Sequence, residues 1–269
     1  MSDKNLDHLS FLFALQPKPL GLGTMTLMSG PISKDEGTSL FGSIASRGFL
    51  ETLDSLSNSG RIAPEDGDLK IGSGRFLEKA TILFLDICGF SARPSETQEE
   101  QQLILLTLNL FLPEMIRILE DYGGTIEKNT GDGLLVWFVD RSSERTGNGS
   151  ERALKAAIEM QQRNQQSVSP ALRSRGIEEI TFRVTIDCGP VTIANLGSAK
   201  RHHSNTAIGT KANIACKLLR LAGPGDIVIG DVARNSFPFS VQSRLSPIMA
   251  DTGWSYRLSG ARYPAWVYR

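Results

Sequence analysis

The segment Ala80-Thr-Ile-Leu-Phe-Leu-Asp86 decides the fold class of this chain. It is a continuous run of apolar and β-branched residues, which is typical of a β-strand buried on both faces. The run ends in a carboxylate, and an unpaired buried carboxylate costs free energy, so Asp86 needs a partner or a ligand. A turn into a helix follows, and the backbone amides of such a turn are a candidate phosphate cradle. This turn covers Ile87-Cys88-Gly89-Phe90-Ser91.

The pattern on either side of this strand predicts alternating strands and helices. A helix is expected over Glu96–Asp121, with Pro113 kinking or splitting it, and a hairpin over Thr125–Lys128 and Gly133–Val139. Two further helices are predicted, at Glu151–Gln166 and Thr210–Ala222. Strands are predicted at Thr181–Cys188, Val191–Leu196 and Asp226–Gly230, and Gly189-Pro190 should break the chain between the first two. A last hairpin is expected within Trp254–Arg269. The order βαββαββαβ indicates an α+β fold with an antiparallel-rich sheet.

A second carboxylate, Asp132, lies in the turn of the first hairpin. Taken alone, Asp132 could be an ordinary turn residue and Asp86 could cap a helix. If their strands are neighbours, the two side chains converge on one edge of the sheet. Paired carboxylates beside a phosphate cradle suit Mg²⁺ or Mn²⁺, because hard cations prefer oxygen ligands and share them with phosphate.

The composition excludes several classes of protein. The 269 residues carry 29 basic and 29 acidic side chains, so a strongly positive surface for nucleic acid or membrane lipid is not expected. Three scattered cysteines form no CxxC pair, and no signal peptide or membrane span is predicted. The sequence therefore favours a cytoplasmic protein with neither a nucleic-acid nor a membrane partner.

Residues 1–75 differ in composition from the rest of the chain. They are rich in Gly, Ser and Pro, and only a helix near Ser39–Leu56 is suggested. We expect an N-terminal extension of unknown role over 1–75, either a packing arm or a sensor or dimerisation element. The expected catalytic domain covers 76–269.

Several segments in order resemble the class III nucleotidyl cyclases. Thr81–Ser91 and Gly123–Phe138 are similar to the two metal-binding segments of that family. Phe182–Val191, Asn195–Ser198 and Thr206–Leu218 continue the likeness at family-like distances. The resemblance implies a ferredoxin-like cyclase domain that forms a head-to-tail homodimer.

The resemblance also implies a mechanism. Asp86, Asp132 and the carbonyl of Ile87 would hold two divalent metal ions, Mg²⁺ or Mn²⁺. A nucleoside triphosphate would be cyclised through attack of its 3′-oxygen on the α-phosphate, with loss of pyrophosphate. Lys128 and Thr206 match the positions that read the base.

The remaining matched positions lie four residues apart on one predicted helix. Asn213 corresponds to the residue that orients the ribose. Lys217 stands where the family has an arginine that stabilises the charged α-phosphate. Lysine keeps the charge but loses the planar pair of donors, so a slower enzyme is expected.

The substrate base is open at this point. Lys128 and the segment Asp132-Gly-Leu-Leu resemble bacterial adenylyl cyclases and favour ATP, whereas Thr206 can accept or donate a hydrogen bond and is permissive. A lysine at position 217 resembles the bacterial pyrimidine cyclases of antiphage defence, which would use UTP or CTP. A catalytically silent nucleotide-binding regulatory protein is a third reading. His202 and His203 are expected in a polar loop, and Trp137, Phe138 and Leu196 either in the dimer interface or in the core.

Overall fold

The computed structural model describes residues 61–63, 69–129, 131–140, 148–198 and 202–269. The chain divides into two units, Met1–Gly60 and Arg61–Arg269. The helix predicted near Ser39–Leu56 lies outside the described residues. The separation of 1–75 from 76–269 stays a prediction, and the first long strand begins at Ser73.

The described residues form nine strands and six α-helices. The strands are β1 Arg61–Ile62, β2 Ser73–Ile87, β3 Thr125–Asn129, β4 Gly133–Val139, β5 Phe182–Ser198, β6 His202–Ile208, β7 Ile227–Gly230, β8 Leu245–Pro247 and β9 Ala265–Tyr268. The helices are α1 Gln98–Asp121, α2 Gly149–Arg163, α3 Ser169–Arg173, α4 Thr210–Leu218, α5 Asp231–Asn235 and α6 Phe239–Gln242. A π-helical turn at Asn164–Val168 joins α2 to α3.

The sheet has the order β3-β4-β2-β5-β7-β9-β8, with β1 beside β2 and β6 beside β5. Its first four members are antiparallel neighbours, and α1 and α2 connect them in a βαββαβ unit. This is the ferredoxin-like arrangement that the sequence predicted. The α+β class and the antiparallel-rich sheet are therefore confirmed.

The central strand β2 is buried on both faces, as its apolar run predicted. Leu83, Leu85 and Ile87 pack in one cluster with residues of α1 and α2. Ile82 and Phe84 point the other way, into a second cluster that includes residues of α4. Side chains alternate along a strand, so one apolar run serves two cores.

Helix α1 runs unbroken through Pro113, so the predicted split is wrong. It begins after Thr97, whose side chain forms a capping box with Glu100. By length and mean hydropathy α1 is the one described helix that could span a membrane. Its buried face, which includes Phe111 and Met115, packs in the core, as expected of a core helix.

Strand β5 also differs from the prediction, since it continues through Gly189-Pro190. Leu77 pairs with Val191 and Ala80 with Gly189, so two residues of β2 face Pro190 across a bulge. A bulge leaves a position without a ladder hydrogen bond, and proline is tolerated there.

Two further predictions are corrected. His202 and His203 belong to strand β6, which pairs with β5, and not to a polar loop. The C-terminal hairpin does not lie within Trp254–Arg269, because β9 pairs with β8 and β7 instead. Within the expected segment, the pairing between its own residues is the isolated bridge of Ser255 with Arg262.

Candidate active site

The two candidate metal-binding carboxylates lie at the same end of the sheet. Asp86 pairs with Gly133 on β4, the residue that follows Asp132. The Ile87 amide donates to the Asp132 carbonyl oxygen at 2.9 Å, which ties the hairpin turn to the end of β2. Burial is the main cause of the raised pKa of Asp86, and the negative charge of Asp132 adds to it, as expected of neighbouring carboxylates.

Asp86 has a cationic partner that sequence reasoning missed. Arg183 faces it across the β2–β5 ladder, and Arg183 Nε donates to Asp86 Oδ2 at 2.8 Å. Burial raises the pKa of Asp86, and the Arg183 guanidinium opposes that rise. Arg183 also donates to the Ala222 carbonyl at 3.2 Å, so its own position is fixed.

The candidate phosphate cradle forms the tight turn after β2. Gly89 has a φ of 68°, a left-handed conformation that favours glycine. A 3₁₀ turn over Phe90–Ala92 follows, and Phe90 packs against the main core. The cradle is thus anchored by an apolar side chain, while Gly89 and Ser91 are exposed.

The two candidate base-reading residues lie on strands that are not neighbours in the sheet. Lys128 is on β3 and Thr206 on β6. The side chain between them is Glu127, which is almost fully buried. Its Oε2 accepts from the Ala207 amide at 2.9 Å, and its Oε1 lies 3.5 Å from Lys128 Nζ. Glu127 therefore links Lys128 to the strand that carries Thr206.

Asn213 and Lys217 lie on α4, which is nine residues long. Asn213 is half-buried, whereas Lys217 is exposed. Lys217 Nζ lies 4.8 Å from the ring centroid of Trp254, a contact between residues far apart in sequence. The helix ends earlier than the predicted Ala222, because residues 219–221 form a 3₁₀ turn.

Charges from both halves of the domain act on one thiol. Burial raises the pKa of Cys216 on α4, the positive charges of Lys128 and Lys217 oppose that rise, and the negative charge of Asp86 adds to it.

A buried polar cluster lies at the first turn of α4, and no local sequence pattern predicts it. Asp187 is fully buried, and Tyr263 donates its hydroxyl to both carboxylate oxygens, at 2.8 and 2.9 Å. Lys211 Nζ donates to the Tyr263 oxygen at 2.9 Å and lies 3.5 Å from Asp187. Burial raises the pKa of Asp187 to about 6, partly opposed by Lys211.

Of the three apolar residues considered for an interface, two are core residues. Trp137 and Phe138 are buried in the clusters on either side of the sheet, whereas Leu196 is exposed. Within the described residues there is no group of three or more His, Cys, Asp or Glu side chains arranged to hold a metal ion. The oxygen donors that the sequence suggested, Asp86 and Asp132, lie at the end of β2 and in the adjoining hairpin turn.

A ferredoxin-like sheet with paired carboxylates at the end of its central strand is the arrangement that the resemblance to the nucleotidyl cyclases implies. Residues 75–245 match the family described as the adenylate and guanylate cyclase catalytic domain. The chain belongs to this family, the class III nucleotidyl cyclases.

Relatives differ in the nucleotide for which they are named. An adenylate cyclase of Anabaena cylindrica is 32% identical over 192 residues, which cover 68% of this chain and 36% of that protein. A uridylate cyclase of Burkholderia cepacia is 26% identical over 171 residues, 63% of this chain and 71% of that protein. The solved adenylyl cyclase of Pseudomonas aeruginosa has a TM-score of 0.58 at 25% identity, covering 73% of this chain and 95% of that one.

Proposed function

We propose that this chain is a metal-dependent nucleotidyl cyclase that converts a nucleoside triphosphate, ATP first, to a 3′,5′-cyclic nucleotide and pyrophosphate. The observation that carries the proposal is the 2.9 Å bond from the Ile87 amide to the Asp132 carbonyl. It holds two carboxylates at the end of the central strand, beside the turn that begins at Gly89.

The donors at this end of the sheet fit hard divalent cations. Two carboxylates and the carbonyl of Ile87 are oxygen ligands, which Mg²⁺ and Mn²⁺ prefer. Burial, with a smaller contribution from the negative charge of Asp132, raises the pKa of Asp86, and a bound cation would favour the charged carboxylate. When bound, a pair of such ions would lower the pKa of the ribose 3′-hydroxyl and neutralise phosphate charge.

The other residues would bind and orient the nucleotide. The amides of Gly89, Phe90 and Ser91 would hold phosphate oxygens. Asn213 would orient the ribose, and the Lys217 ammonium would stabilise charge on the α-phosphate. Across two chains in a head-to-tail homodimer, the carboxylates of one protomer would face α4 of its partner, giving two equivalent sites.

Adenine is favoured by the pair of base-reading side chains. Lys128 can donate to the ring N1 of adenine, and the Thr206 hydroxyl can accept from the 6-amino group. The buried link through Glu127 supports a shared role for the pair. The likeness to an adenylate cyclase points the same way.

A pyrimidine cyclase in antiphage defence is the second candidate. It is favoured by Lys217 in place of the family's arginine and by the likeness to a uridylate cyclase. Thr206 can also donate a hydrogen bond, so it would accept a base with a carbonyl at that position.

Product identification tests the proposal. The purified chain is incubated with each of the four triphosphates and Mn²⁺, and products are identified by mass spectrometry beside a pyrophosphate assay. Cyclic AMP as the main product is the expected result. Cyclic UMP or CMP would replace the first candidate with the second, and no cyclic product with bound nucleotide would indicate a silent regulatory protein.

A further inference from the structure

Helix α4 carries both proposed catalytic side chains but is too short to be stable by itself. It has nine residues, and isolated helices shorter than about 12 residues are marginal in water. Its orientation must therefore come from tertiary contacts. Residues 252–263 contact α4 at both of its ends.

The first turn of α4 is held by the buried cluster of Asp187, Lys211 and Tyr263. Lys211 Nζ donates to the Tyr263 hydroxyl oxygen and lies 4.3 Å from the centroid of its ring. The Val232 amide also donates to that oxygen, at 3.0 Å, so the hydroxyl makes the three hydrogen-bond contacts it can. A satisfied buried network of this kind fixes the geometry of the segments it joins.

The last turn of α4 is contacted by Trp254. The indole is partly buried and packs against a cluster that contains Ile214 and Leu218 of the helix. Its backbone is tied down, because the Tyr263 amide donates to the Trp254 carbonyl at 2.8 Å. The ring is thus a fixed surface, and Lys217 Nζ lies 4.8 Å from its centroid.

We propose that Trp254 is a positioning residue for Lys217, and this inference rests on the proposed function of that lysine. A lysine side chain on an exposed helix face has many rotamers, and fixing one of them costs conformational entropy. The face of an indole attracts an ammonium group and limits those rotamers before substrate binds. The ring thereby supplies part of the order that the planar guanidinium of arginine has intrinsically.

Kinetics of matched variants test this role. Trp254→Leu removes the ring face, and we expect kcat to fall about two- to fivefold, with a smaller change in KM. Trp254→Phe keeps an aromatic face and should restore most of the loss. In a Lys217→Ala background, Trp254→Leu should have no further effect on kcat. Trp266→Leu is the control, because the Trp266 ring faces Arg234 at 4.1 Å on another part of the domain, and its kcat should match wild type.

A second measurement does not depend on turnover. The lysines are ¹³C-dimethylated, and the Lys217 signal is assigned by its absence in Lys217→Arg. A ring-current shift of that signal in wild type, lost in Trp254→Leu, is expected.

The outcomes separate the two proposals. In an active enzyme, any of three results overturns the positioning role. These are an unshifted Lys217 signal, an unchanged kcat in Trp254→Leu, or an equal loss of kcat when Trp254→Leu is added to Lys217→Ala. No cyclic product from wild type under any triphosphate overturns the proposed function, and the positioning role with it, while the ring-current shift still reports the contact.

Discussion

Arg183 and Asp86 face each other across the β2–β5 ladder and form an ion pair of 2.8 Å between Nε and Oδ2. The pair is partly buried, so it is less screened by solvent than a surface pair. It orients the Asp86 carboxylate at the point where β2 ends, and it opposes the burial that would otherwise favour the protonated form. The carboxylate that the proposed reaction needs is therefore held in place by a neighbouring strand, whose guanidinium opposes the rise in pKa that burial causes.

Loss of either carboxylate should abolish turnover while leaving the fold intact. For Asp86→Asn and Asp132→Asn we expect product formation to fall at least about a hundredfold, since groups that stabilise charge at a reacting centre are worth that much. Product is measured by mass spectrometry and folding by circular dichroism. Asp121→Asn is the matched control, because Asp121 is exposed on α1 and pairs with Arg117. Substantial activity in either site variant would remove the metal-binding role.

Mixing two inactive chains tests the homodimer. Asp86→Ala chains are combined with Asn213→Ala chains, so that in a mixed dimer one site has both defects and the other has neither. Activity should return to about half of the wild-type rate per mixed dimer by that count of sites. Differently tagged chains show by co-purification whether mixed dimers form. If they form and stay inactive, each protomer builds its own site around α4.

Glu127 should affect nucleotide binding more than the chemical step. Glu127→Ala removes the acceptor of the Ala207 amide and leaves Lys128 and Thr206 less firmly linked. We expect KM for the preferred triphosphate to rise about fivefold, the usual worth of one hydrogen bond, with a smaller change in kcat. Glu127→Gln retains an acceptor, so its KM should lie between those of wild type and Glu127→Ala. A pure kcat effect in Glu127→Ala would contradict this assignment.

Asp187 should make stability depend on pH in a specific direction. Its pKa is raised from 3.8 to about 6 by burial, so the folded state holds the proton more tightly than the unfolded chain. Its contribution to the free energy of unfolding is therefore full below about pH 4 and is lost as pH rises through about 6.

Comparison with Asp187→Asn isolates this contribution. The free energy of unfolding of wild type minus that of the variant should fall between pH 4 and pH 7, by about 1 to 3 kcal/mol. Urea unfolding at several pH values measures it. Asp251→Asn, at an exposed site, should show no such trend. A difference that rises with pH would mean that Asp187 is stabilised as the anion.

The sequence predicted the central features of this domain because their signals are local. An apolar run that ends in Asp86 identifies a buried strand, and a Gly-Asp-Gly turn identifies the hairpin that holds Asp132. The resemblance to the cyclases added expected roles for residues on β3, β6 and α4, which the proposed experiments test.

Other features could not be read from local pattern. Proline in β5 is acceptable only because β2 bulges opposite Pro190, which depends on the register of two distant segments. Strand β6 is polar, and its strand conformation comes from backbone pairing with β5 and not from apolar alternation. The contacts of Asp187 with Tyr263 and of Lys217 with Trp254 join residues far apart in sequence, so no short motif reveals them.

The continuity of β5 constrains how the chain can change in length. One end of the strand places Arg183 opposite Asp86, and the other places Ala194 opposite Thr206. Inserting or deleting one residue between these positions would turn every later side chain to the opposite face of the sheet. Both ends of the site would then lose their alignment at once, so length differences among relatives should fall outside residues 183–194.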